Sequence, residues 1–197
     1  MKKRFLITIS ILMVTLIAVV YFFFDKSQEE KLTENYSKHY DFSLISDELR
    51  NEEYEKKFIE YQDKLEEAIK DYEEGGLLEE SKPNPDFFIE KARYAKYLGQ
   101  MDWAIEILNG AFDYYGNFSV AWNNLARIYE YKGDYIKANE YYQIIIDTFF
   151  EEQFWSLYYN MTKNFMLMND KSKVEEYYEK YKSFGGVSEE IEEYLAQ

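Results

Sequence analysis

Apolar residues recur along the second half of this chain at the spacing of paired helices. Trp122, Leu125, Ala126 and Tyr129 fall three and four apart, which sets them on one face of a helix; Ala138, Tyr142 and Ile145 do the same for a second. Between them lie Gly133, suited to a left-handed exit from the first helix, and Asp134, suited to the N-cap of the second. The small side chains of Ala126 and Ala138 allow the two helices a close approach. The unit runs from Ser119 to Glu152, about 34 residues, and a hairpin of this size cannot bury its own apolar face, so the pattern demands copies. Moving back by about 34 residues finds Phe88, Ala92, Gly99, Ala104, Leu108 and Ala111, with Asn84 as N-cap and Pro85 as first helical residue. Moving forward by about 36 finds Tyr158, Met161, Thr162, Phe165, Asn169, Val174, Tyr178 and Tyr181. Here Asn169 replaces the turn glycine, Thr162 and Val174 replace the alanines, and the first helix is expected to be lengthened. After Gly185 and Gly186, Ser188 is expected to cap a last helix, Glu189 to Leu195, whose acids suit the polar outer end of a helical stack.

These residues resemble the tetratricopeptide repeat, over 85–197. The resemblance implies an all-α fold: a helical-hairpin solenoid of about three repeats whose first helices line a concave groove for peptides or other proteins. In that frame Arg93, Arg127 and Lys163 fall on one line along the groove, and Asn124 and Asn160 on a neighbouring line. A row of guanidinium, ammonium and amide donors at one-repeat intervals suits the carbonyls and acidic side chains of an extended peptide. Ile89 and Glu90 depart from the two-carboxylate clamp of members that bind chaperone tails, so that ligand is not implied. The alternative for the three cations is pairing with nearby acids on a solvated surface.

The other strong pattern is at the N-terminus. Residues 1–4 carry Lys2, Lys3 and Arg4, and residues 5–24 are an uncharged apolar run ending in Tyr21, Phe22, Phe23 and Phe24. Twenty such residues in a helix match the roughly 30 Å hydrocarbon core of a bilayer, and the aromatics suit its boundary. No small-residue cleavage pair closes the run, and no cysteine is present to accept a lipid, which favours an uncleaved anchor over a cleaved signal peptide of a secreted form. The basic residues before it and the acids after it set the N-terminus in the cytoplasm and the rest of the chain outside. Residues 25–46 read as a polar spacer. Residues 47–84 read as an amphipathic helix, Asp47 to about Glu73, followed by a loop from Gly75 to Asn84. Tyr54, Phe58, Tyr61, Leu65, Ala68 and Tyr72 form a seam on that helix, suited either to packing on the first repeat or to a dimerising stalk.

Charge and composition narrow the partners. The formal net charge is −15, which repels nucleic acid and anionic lipid surfaces. Aromatic residues at 20% exceed what a disordered chain carries, so a packed core is expected. The absence of cysteine excludes disulfides, thiol nucleophiles and thiolate metal sites. His39 is the single histidine, in the spacer, without a second imidazole to share a metal. Acidic pairs such as Glu66 and Glu67 or Glu175 and Glu176 are the ordinary solvated faces of acidic helices. No phosphate-binding loop, nucleophile elbow or metal-ligand spacing occurs, so neither catalysis nor a cofactor is expected. The expectation is a single-pass cell-membrane protein that displays its repeats outside the cytoplasm, docking a protein or extended peptide of another envelope protein. The alternative is a homo-oligomeric assembly protein using the anchor and the Tyr54 to Tyr72 seam.

Overall fold

The structure, a computed structural model, describes Tyr40, residues 45–149 and residues 155–197. The expected anchor over 5–24, most of the spacer and His39 lie outside the described residues; among those described, no helix is long and apolar enough to cross a membrane. The chain divides after Asp41, and every helix described belongs to the second unit, 42–197.

The described residues are helical, without strands. α1 spans Glu52–Glu74, α2 Pro85–Tyr97, α3 Met101–Tyr115, α4 Ser119–Tyr131, α5 Tyr135–Phe149, α6 Trp155–Leu167, α7 Lys171–Ser183 and α8 Glu189–Ala196, with a single 3-10 turn, Glu79–Ser81, between α1 and α2. Chain neighbours pack on one another most extensively as the hairpins α2/α3, α4/α5 and α6/α7, and α2 also touches α4 directly.

Each hairpin turns in the same way. After α2 the N–H of Gly99 donates to the Lys96 carbonyl and that of Gln100 to Ala95; after α4, Gly133 donates to Glu130 and Asp134 to Tyr129; after α6, Asn169 donates to Met166 and Asp170 to Phe165, all at 2.9–3.0 Å. These bonds satisfy the last carbonyls of each helix through a left-handed residue, with φ of 73° at Gly99, 76° at Gly133 and 56° at Asn169. Asparagine tolerates that region better than other side chains, so the third hairpin keeps the turn without glycine. Asp134 and Asp170 then cap the second helices, their carboxylates accepting from the N–H of Lys137 and Lys173 at 3.1 Å. The first copy starts as its sequence predicts: the Asn84 side chain accepts from the Asp86 N–H at 2.9 Å, with Pro85 in the first turn.

The core is the set of positions that the period picks out. Phe88, Ala104, Leu108, Ala111, Leu125, Ala126, Ala138, Tyr142, Thr162 and Val174 are completely buried. A fully buried Leu or Phe contributes about 1.5–3 kcal/mol, and the alanines set the distance between paired helices. Between the second and third hairpins Ala126, Tyr142, Ile145, Leu157 and Met161 form one cluster, with Trp122 and Phe165 packed against it. The last cluster joins Val174, Tyr178 and Tyr181 to Ile191 of α8.

Two expectations need correction. The amphipathic helix begins at Glu52 rather than Asp47, because the Asn51 side chain accepts from the N–H groups of Glu53 (3.0 Å) and Tyr54 (3.2 Å) and stops the helix there. The expected lengthening of the third repeat's first helix falls on residues 150–154, outside the described residues; from Trp155 on, α6 has the 13 residues of α2 and α4. Ser188 occupies the N-cap position of α8, but its hydroxyl makes no capping bond; its backbone N–H donates to the Tyr178 hydroxyl at 3.0 Å, which in turn lies 2.9 Å from Glu192 Oε1.

The seam on α1 faces inward along the chain. Phe58, Leu65 and Ile69 are buried, Tyr54 packs on Tyr97, Tyr61 stacks on Tyr94, and Phe58 meets Trp103.

Candidate functional site

Equal helix lengths put the predicted residues in register. Arg93, Arg127 and Lys163 are each the ninth residue of α2, α4 and α6, and Asn124 and Asn160 the sixth of α4 and α6. Between the second and third hairpins lies an open cleft of about 430 Å³ lined by residues of α4, α5 and α6, among them Arg127, Asn160 and Lys163. Arg93 and Asn124 do not line it. Asn124 turns its amide back on its own helix, donating to the Val120 carbonyl at 2.8 Å.

Glu130 and Asn164, which the sequence pattern does not single out, make the wall of the cleft. Asn164 sits where the second repeat has Ile128, a buried position, and it is itself buried. Its amide donates to Asn139 Oδ1 at 2.8 Å and to Glu130 Oε1 at 3.1 Å. The Tyr142 hydroxyl donates to the same Glu130 oxygen at 3.0 Å. Burial first, and the adjacent Glu130 carboxylate second, push the Tyr142 phenol well above its ordinary range, so it stays a donor. The network ties α4, α5 and α6 together and orients the partly exposed Glu130 carboxylate at the edge of the cleft. A polar residue at a position that is apolar in the sister repeat is the signal that would have found it.

Each ladder cation has an acidic neighbour. Arg93 pairs with Glu90 at 2.7 Å, Arg127 Nε lies 3.8 Å from Glu130, and Lys163 pairs with Glu190 of α8. The Arg127 contact is longer than a hydrogen bond, and 58% of that side chain is exposed. Exposed pairs of this kind contribute about 0–1 kcal/mol, so a ligand displaces them at little cost.

One titratable group lies apart from the groove. Lys91 takes the seventh position of α2, where α4 has Leu125 and α6 has Met161, and it is only 2% exposed. Its ammonium lies 5.5 Å from the centre of the Phe58 ring. Burial pushes its amine down to about 8, against the opposing pull of the Glu66 and Glu106 carboxylates.

Among the described residues no group of His, Asp and Glu is placed to hold a metal ion. No protein-family model and no curated protein matches the sequence.

Proposed function

We propose that this is a non-enzymatic, membrane-tethered scaffold of the tetratricopeptide type, which holds an extended segment of another envelope protein against the first helices of its repeats. The apolar run 5–24 is the tether, with the N-terminus cytoplasmic and the repeats outside. Arg93, Asn124, Arg127, Asn160 and Lys163 face the partner. The observation that carries the proposal is the open cleft in which Arg127, Asn160 and Lys163, from two successive repeats, line one wall-to-wall space. Its two cations are held by weak surface pairs, whereas Glu130 in its wall accepts from Tyr142 and Asn164. The α1 seam is occupied by α2 and Trp103, which leaves the groove as the face offered to a partner.

A photo-crosslinking residue at Asn160 of the full-length protein, expressed in intact cells, tests this. We expect one dominant adduct with another membrane or exported protein, abolished by Arg93→Glu with Arg127→Glu. An adduct pattern that the charge reversals leave unchanged, or a ladder of this chain's own multiples, refutes the proposal.

A further inference from the structure

The junction of the first two repeats gathers positive charge. Arg93 and Lys96 lie one turn apart on α2, and Arg127 lies on α4, which α2 touches. Glu90 engages Arg93, and Glu130 is held by Tyr142 and Asn164. Lys96 has no carboxylate within ion-pair distance among the described residues; its ammonium lies 5.6 Å from the Tyr97 ring centre. Partial burial first, then the charges of Arg127 and Arg93, hold the Lys96 amine below its ordinary value. On a chain of net charge −15, a cluster of like charges that weaken one another is a seat for an anion.

A second line runs beside the cations. Tyr97, Tyr131 and Leu167 are the last residues of α2, α4 and α6, and they are 44%, 78% and 63% exposed. Each stands four residues beyond Arg93, Arg127 or Lys163, so every repeat presents a cation and, about one turn along the same face, an apolar side chain. Tyr131 and Leu167 also line the cleft.

We propose, resting on the groove reading, that the ligand is an acidic peptide in polyproline II conformation, its carboxylates entering the Arg93, Lys96 and Arg127 cluster and the apolar side chains beside them lying on Tyr131 and Leu167. A polyproline II chain has three residues per turn and rises about 3.1 Å per residue, so every third side chain returns to one edge after about 9 Å. α2 and α4 touch, and packed helices stand about 8–10 Å apart, which matches that repeat where the cationic line crosses from Arg93 and Lys96 to Arg127. Two of the three edges of such a peptide meet the cationic and apolar lines, and the third faces water. An anionic membrane does not fit, because the charge of the whole chain repels it and its headgroups supply no apolar side chains in step with the repeats.

The test uses the full-length protein in neutral detergent and fluorescein-labelled peptides made of repeated Asp-Tyr-Ser triplets. Matched peptides replace Asp by Asn, or Tyr by Ser, or move to a two-residue period. The acidic triplet peptide should bind best, with a loss of about tenfold or more on the Asp to Asn change. Lys96→Glu and Tyr131→Ser should weaken it comparably, while Lys96→Arg retains binding; unchanged helical circular dichroism shows that the variants fold. Equal binding of the Asn peptide or of the two-residue period, or no binding of any peptide, overturns the proposal. If Lys96→Glu and Tyr131→Ser leave acidic-peptide binding intact while the Asn160 crosslink is still lost on reversing Arg93 and Arg127, this inference fails and the groove reading survives. A crosslink indifferent to those reversals removes both.

Discussion

Lys91 gives the sharpest test of the packing. It lies in the core position filled by Leu125 and Met161 in the sister repeats, at 2% exposure, and its amine is pushed down to about 8 from an ordinary 10.5. Below about pH 8 the folded protein carries a buried ammonium. Between about 8 and 10.5 it has released a proton that the unfolded chain still holds, so the unfolded state binds more protons and stability rises with pH. From pH 7 to about 9.5 the rise is at most about 2 kcal/mol for these two values. No histidine lies in 42–197 to blur the window, and the upward-shifted tyrosines and lysines, Tyr115 at about 12 among them, pull stability down only above about pH 10. The assay is urea unfolding of residues 42–197, followed by tryptophan fluorescence, at steps between pH 7 and 9.5. Trp103 reports locally, since its ring lies 5.8 Å from Phe58, on which Lys91 packs. Wild type should gain stability across the window. Lys91→Met should lose most of the rise, keeping only the part that the lowered Lys96 amine contributes, and be equal or more stable at pH 7, because replacing a buried ion by an apolar side chain of similar volume is often neutral or stabilising. A flat wild-type profile, or the same rise in Lys91→Met, refutes the assignment of a charged, desolvated Lys91.

The repeat frame and its turns should answer to single substitutions. Ala126→Leu should cost about 1–3 kcal/mol, seen as a lower thermal midpoint, because Ala126 is completely buried against Tyr142 and Met161. Asn164→Ala should cost about 1–3 kcal/mol in urea unfolding, since it strips a donor from Asn139 Oδ1 and Glu130 at once. Gly133→Ala should cost only the left-handed backbone penalty of about 1–2 kcal/mol, as its added Cβ meets no atom; Gly186→Ala should cost more, because its Cβ would fall 2.3 Å from the Tyr181 ring carbon Cζ. Thermal melts that reverse this order would contradict the packing of Tyr181 over that turn. N-terminal sequencing of the protein from membranes should begin at or next to Met1; a start near Ser27 would mark the apolar run as a cleaved signal.

Much of the architecture was legible along the chain. A residue repeated every third or fourth position names the buried face of a helix whatever covers it, and Gly99, Gly133 and the Asp134 cap mark turns through purely local backbone chemistry. That is why the hairpins, the Asn84 and Pro85 start and the close alanine contacts are readable from pattern alone. The same locality explains the misplaced start of α1: Asn51 capping outweighs the periodicity that runs back to Asp47. The ladder of Arg93, Arg127 and Lys163 could be placed on one face by counting, because helix geometry fixes which positions align. Which acids meet those cations could not. Glu190 reaches Lys163 from α8, and Asn164 reaches Glu130 and Asn139 from a neighbouring hairpin, contacts set by how helices far apart in the chain lie together. Lys91 is the clearest case, since a lysine in a helical pattern reads as solvated and only the packing of α1 across α2 removes it from water. The chain encodes faces and turns locally; burial and pairing arise only when separate helices meet.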